Sequence, residues 1–195
     1  MLFKTAFIGI SAIAAVFILS SYQTDGQKII WDKNYKLKWE DYKSPPDSQR
    51  PDIKAGSSVG HGYTYRTKGD SVFITIESYF FKSESWVDSG SINNNLLLHE
   101  QGHFDIEEIY ARLLRKNIAA TNFFKQTFEK QLQGLHNKSI NECNKEQDLI
   151  YDKETDLSRN LAKQKQWNMK IAKRLKELEV SAPLIIGPFK SIILI

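Results

Sequence analysis

His99, Glu100 and His103 fill the pattern H-E-x-x-H inside the run Leu96-Leu97-Leu98-His99-Glu100-Gln101-Gly102-His103-Phe104-Asp105-Ile106, and no other stretch restricts the fold so tightly. On an α-helix, residues four apart stand one turn above each other, so both imidazoles can face one cation. Ile92, Leu96, His99, His103, Ile106, Tyr110 and Leu113 recur at spacings of three and four and form one stripe of such a helix. Both rings therefore lie on the core side, where paired polar groups need a partner to offset their desolvation. A bound Zn2+ is the partner the pattern implies, with Glu100 placed beside it as a general base for an attacking water. The plainer alternative is two hydrogen-bonded core histidines with Glu100 in an ordinary surface pair. The chain has only four histidines, and roughly one shuffled chain in a few hundred would contain the pattern.

Ahead of this helix the sequence reads as strands and turns. Leu37 to Tyr42 is a short extended piece that ends at Lys43-Ser44-Pro45-Pro46-Asp47, whose prolines forbid helix. Ser57 to Arg66 and Ser71 to Lys82 flank the turn Lys68-Gly69-Asp70 as a hairpin, and Trp86 is expected to close the sheet region beneath the motif helix. From Gly90 to Ala120 the period becomes 3.6. Gly134-Leu135-His136-Asn137 is expected to break a second helix that starts near Thr121. A third then runs from Ser139 through Ile150 toward Asp156, and a fourth from Ser158 to Leu178. Strands first and helices after predict an α+β domain, a small antiparallel sheet followed by a helical bundle, over residues 27–180.

The flanks differ in character. Residues 1–21 carry Lys4 and then an apolar run, Ala6 to Leu19, which reads as a secretory signal despite lacking an A-x-A cleavage site. An uncleaved anchor is the alternative, although the run is short against the ~20 residues of a membrane span. A secreted, periplasmic or cell-envelope location follows, with membrane contact only through this segment if it stays attached. Residues 181–195 form an apolar tail, too short to span a bilayer and able to add a strand. Loss of Lys4 lowers the formal charge from +4 to +3, too small a bias to imply nucleic acid. Cys143 is the only cysteine, so no internal disulfide can form.

Taken in order, four segments resemble a bacterial family of unknown-function domains described as secreted zinc-dependent proteases: Leu37-x-Trp39-x-Asp41-Tyr42, the block from His99 to Ile106, Tyr151-Asp152-Lys153-Glu154-Thr155, and Gln164-x-x-Trp167. The resemblance implies a zincin-like fold, bound zinc and hydrolysis of a peptide or protein substrate. It also exposes a departure. The family pattern continues Tyr-Asp-x-x-Thr with a histidine-glycine pair, the natural third ligand, where Leu157 and Ser158 stand here.

Catalytic zinc normally has three protein ligands and an open position for water, so the vacancy needs another group. Asp156 is the first choice on the segment that the resemblance brings toward the metal. Glu154 and Asp152 are further choices, and His136 could swing in from its loop. Glu107, one turn past His103, and Asp105 are expected behind the ligands, Glu107 holding an imidazole by its other nitrogen. Asp105 and Arg112 are read as orienting the helix through ion pairs or hydrogen bonds to neighbouring loops; the alternative is ordinary solvent-facing charges, with Glu108 and Arg112 a pair four apart. Gly102 within the helix implies that something packs closely against it. The function expected is an exported zinc metallopeptidase; the alternative is a degenerate zincin-fold binding module that lost catalysis with its third ligand.

Overall fold

The computed structural model describes residues 27–179 and 184–187. The expected export segment, residues 1–21, lies outside them, as does most of the tail, 181–195. The chain is α+β, as its pattern predicts. Strand β3 (Val59–Lys68) and strand β4 (Ser71–Phe81) pair antiparallel along their whole length. They are joined by a tight turn in which Gly69 takes φ 59°, a left-handed value that glycine adopts without steric cost.

On its other side β4 carries two short partners. Strand β1 (Lys28–Ile30) pairs with its end, Lys28 opposite Phe81, and β6 (Leu184–Ile186) with its beginning, Val72 opposite Ile186. The tail thus supplies a strand. A separate two-stranded piece joins β2 (Ala55–Gly56) to β5 (Trp86–Val87). The indole of Trp86 lies against Gly56, where an added Cβ would meet it at 2.9 Å. The expected strand from Leu37 to Tyr42 is instead an irregular segment with a single 3-10 turn, Trp39–Asp41, because Asp41 accepts from the Lys38 N–H and closes that turn locally.

Inward residues of β4 alternate as a half-buried strand requires: Val72, Ile74, Ile76, Ser78 and Phe80 all face helix α1 (Asn94–Ala119). That helix is the axis of the molecule. Ala111, Leu114 and Ile118 pack with the β4 aliphatics, Phe104 with Phe80 and Leu37, and Ile106, Ile109 and Tyr110 with the remaining helices. Helix α2 (Phe128–Glu146) passes unbroken through Gly134, contrary to the expected interruption. Leu135 next to it packs on the core, which outweighs the ~1 kcal/mol propensity cost of glycine. A π-helical turn, Gln147–Tyr151, follows directly, then α3 (Asp152–Thr155) and α4 (Leu161–Glu177), capped by the Asn160 side chain. No helix among the described residues is long and apolar enough to cross a membrane.

Candidate metal centre

Helix α1 starts at Asn93, whose side chain accepts from the Leu96 N–H at 3.0 Å, and this cap fixes which faces the next turns present. His99 and Glu100 are both buried on the second turn, with His103 one turn further. Gly102 explains how the helix sits so near its neighbour: an added Cβ would stand 2.1 Å from the Tyr151 hydroxyl. The close contact expected at Gly102 is the side chain of this distant tyrosine. The Tyr151 ring stacks on His99, with centroids 4.7 Å apart and planes 10° from parallel, and its hydroxyl donates to the His99 carbonyl at 2.9 Å.

Two glutamines fix the rings. Gln164 Nε2 donates to the Tyr151 hydroxyl and to Asn168 Oδ1, both at 2.8 Å, so its Oε1 faces His99 Nδ1 at 3.1 Å. Gln147 Nε2 donates to Glu107 Oε1 at 2.8 Å, which turns its Oε1 to His103 Nδ1, also at 2.8 Å. Each Nδ1 therefore carries a proton, and each Nε2 offers a lone pair. Those lone pairs converge. The two Nε2 atoms are 3.3 Å apart, and Asp152 Oδ1 lies 3.0 Å from that of His103 and 3.4 Å from that of His99.

Donors held 2.0–2.1 Å from a tetrahedral zinc stand about 3.3 Å from one another, so the three atoms already have the spacing of one coordination face. Asp152 Oδ1 is also a buried oxygen without a hydrogen-bond donor while both rings are protonated at Nδ1 alone. A cation at the focus would satisfy all three groups. Without one, a proton does so: burial works against a charged His103, but the Asp152 carboxylate outweighs it and raises the ring to about 9. Burial would likewise raise Asp152, yet His103 and His99 hold it well below the usual carboxylate range.

Beside this focus, Glu100 Oε2 accepts from Ser57 Oγ at 2.6 Å, and the Tyr42 hydroxyl lies 2.9 Å from the same Oγ. Ser57 has one proton and gives it to the carboxylate, so Tyr42 donates to Ser57. The chain segments around β2 thus orient Glu100. They also wall a cleft of about 600 Å³ whose lining includes Ser57, Trp86, His99, Glu100, His103 and Asp152.

Other expected residues fall elsewhere. Asp156, first choice for the third ligand, is at the surface at a φ of 50°, and both its oxygens accept from Arg159. The π turn ahead of it delivers Asp152 to the histidines instead. Glu154 accepts from Trp167 Nε1, and His136 donates from Nε2 to the His61 carbonyl. Glu107 does hold an imidazole, but that of His61, at 2.6 Å; the position behind His103 belongs to Gln147. Asp105 accepts from Trp31 Nε1 and Gln101 Nε2, both at 2.8 Å, and ties α1 to the N-terminal strand region rather than to the ligands. Arg112 orients the helix as read, bonding Glu108 and the Leu175 carbonyl. Gln147 gave no signal in the sequence, whereas Tyr151 and Gln164 stood in the segments singled out there without a role, and Asp152 stood among the further choices for the third ligand. No family model matches the chain, and neither a curated protein nor a solved structure does.

Proposed function

We propose that the protein is a zincin-like zinc metallopeptidase in which His99, His103 and Asp152 hold Zn2+ and Glu100 is the general base. The observation that carries this reading is the convergence of His99 Nε2, His103 Nε2 and Asp152 Oδ1 at 3.0–3.4 Å, with both Nδ1 protons committed to glutamine oxygens. Imidazole and carboxylate are the donor set of catalytic zinc, which when bound lowers the pKa of a water and polarises a carbonyl. Ser57 engages Oε2 of Glu100, so Oε1 takes the proton of the attacking water and returns it to the leaving amine. A cleft of about 600 Å³ beside these residues supports a substrate of peptide size. The apolar run from Ala6 to Leu19 supports action outside the cytoplasm.

The competing idea of a degenerate binding module rested on Leu157 standing at the expected ligand position. Asp152 offers a donor atom from another position, which supports the catalytic reading over that one. The discriminating experiment is metal analysis and peptide hydrolysis of the protein and its Glu100→Gln variant. Zinc at about one per chain in both, with turnover reduced about 100- to 10,000-fold in the variant, is expected for a lost general base. Wild-type turnover in Glu100→Gln would remove Glu100 from the mechanism.

A further inference from the structure

Glu107 lies one turn beyond His103 yet takes no part in the ligand cluster. Its carboxylate points between α1 and α2, where Oε1 accepts from Gln147 Nε2 at 2.8 Å and from Cys143 Sγ at 3.3 Å, and Oε2 meets His61 Nδ1 at 2.6 Å. His61 comes from β3 and is fastened at its other nitrogen by Ser139 Oγ of α2, 2.8 Å away. All of these groups are buried, so each depends on its protein partners for its hydrogen bonds.

A side-chain amide has nearly the same shape either way round, and only its partners decide which end faces where. Reversed, Gln147 would present its NH2 to His103. The ring would then have to accept at Nδ1 and carry its proton on Nε2, the atom that faces His99 and Asp152. Glu107 prevents this, because a carboxylate only accepts and therefore selects the NH2 end of Gln147. His61 in turn gives Oε2 a donor and holds the carboxylate in place. We infer that Glu107 and His61 are positioning residues of the metal centre, fixing the Gln147 amide so that His103 keeps its Nε2 lone pair for the ion.

This inference rests on the proposed role of His103 as a ligand. The same atoms have the chemistry of a metal site themselves, since ligand atoms of His61, Glu107 and Cys143 lie within 4.8 Å of one another. Their geometry argues against it. The 2.6 Å contact between His61 and Glu107 is a hydrogen bond, shorter than the about 3.3 Å that separates donors sharing one tetrahedral zinc.

The test compares Zn2+ affinity, by competition with a chromophoric chelator, and the visible spectrum of the Co2+-loaded protein for wild type, Glu107→Gln, and the double variant Glu107→Gln with Gln147→Glu. A glutamine at 107 can satisfy Gln147 in either orientation, so the single variant should bind zinc about 10- to 100-fold more weakly and shift the Co2+ bands. Glutamate at 147 presents oxygen whichever way it turns. The double variant should therefore recover affinity to within a few-fold and restore the spectrum, and it also carries the test if the single variant does not fold. An unchanged single variant, or a folded double variant as weak as the single, overturns the inference while leaving the metal centre standing. Two zinc ions per wild-type chain and one in Glu107→Gln would also overturn it, by making the cluster a site of its own. A wild type that binds no metal sinks both this inference and the proposed function.

Discussion

At the scale of single residues, the centre depends on one missing methyl group. Tyr151 is fully buried, stacked on His99 and bonded to the His99 carbonyl, so it cannot retreat from an added Cβ on Gly102 without moving the His99 ring. Gly102→Ala should destabilise the fold by about 1–3 kcal/mol, the range for overpacking a tight core, and weaken zinc binding as well. Urea unfolding and metal competition check the two effects; alanine tolerated at wild-type affinity would show that the ring gives way. A second contrast separates two aspartates four positions apart. Asp152→Asn should lose at least a hundredfold in zinc affinity, whereas Asp156→Ala, which removes only a surface pair with Arg159, should bind as wild type does. The sequence made Gly102 legible as a point of close approach. It left the approaching ring and the third ligand open, because both depend on a distant segment arriving in one particular rotation.

That rotation is set at the scale of an element. In a regular α-helix, residues five apart point about 140° away from each other; an i→i+5 turn brings them toward one face. Gln147 and Asp152 are five apart across the π turn, the Asp152 N–H bonds the Gln147 carbonyl, and both side chains reach His103. One extra residue thus lets a single segment support the ring at Nδ1 and face it at Nε2. Leu149, half exposed within the turn, is the residue to remove. Its deletion should restore regular helix with Gln147 and Asp152 four apart, about 40° from each other and still on one face, and leave zinc affinity within about tenfold of wild type while far-ultraviolet circular dichroism stays helical. A hundredfold loss would mean that Asp152 needs the wide turn itself, beyond its place on the same face as Gln147. Periodicity found α1 and the β3–β4 hairpin because each buries a continuous face. It missed the continuity of α2 through Gly134, where a local breaker is overruled by Leu135 in the core and by His136 bonding the His61 carbonyl. It also gave no sign of the π turn, since a one-residue insertion in a helix leaves composition unchanged.

For the molecule as a whole, the proposed ligands come from two segments that Tyr151 and Gln147 already hold together. His99 and His103 belong to the central helix against the sheet and Asp152 to the segment leaving α2, so a bound cation would add a further tie between the two. Zinc at a hundred times its dissociation constant should add about 2.7 kcal/mol to stability, which for a domain of this size is about 5–10 °C in Tm, removable by a chelator. The size of that loss must depend on pH. In the metal-free protein His103 is raised from 6.5 to about 9 by Asp152, so its proton stabilises the fold fully below 6.5, and this contribution disappears as the pH rises through about 9. The ion competes with the same proton, so its affinity increases over the same interval. Both trends act in one direction: the Tm difference between zinc-loaded and chelated protein should be smallest near pH 6 and widen steadily toward pH 9. Differential scanning calorimetry at constant ionic strength and fixed free zinc measures it. A difference that narrows with rising pH would mean that His103 does not exchange a proton for the cation.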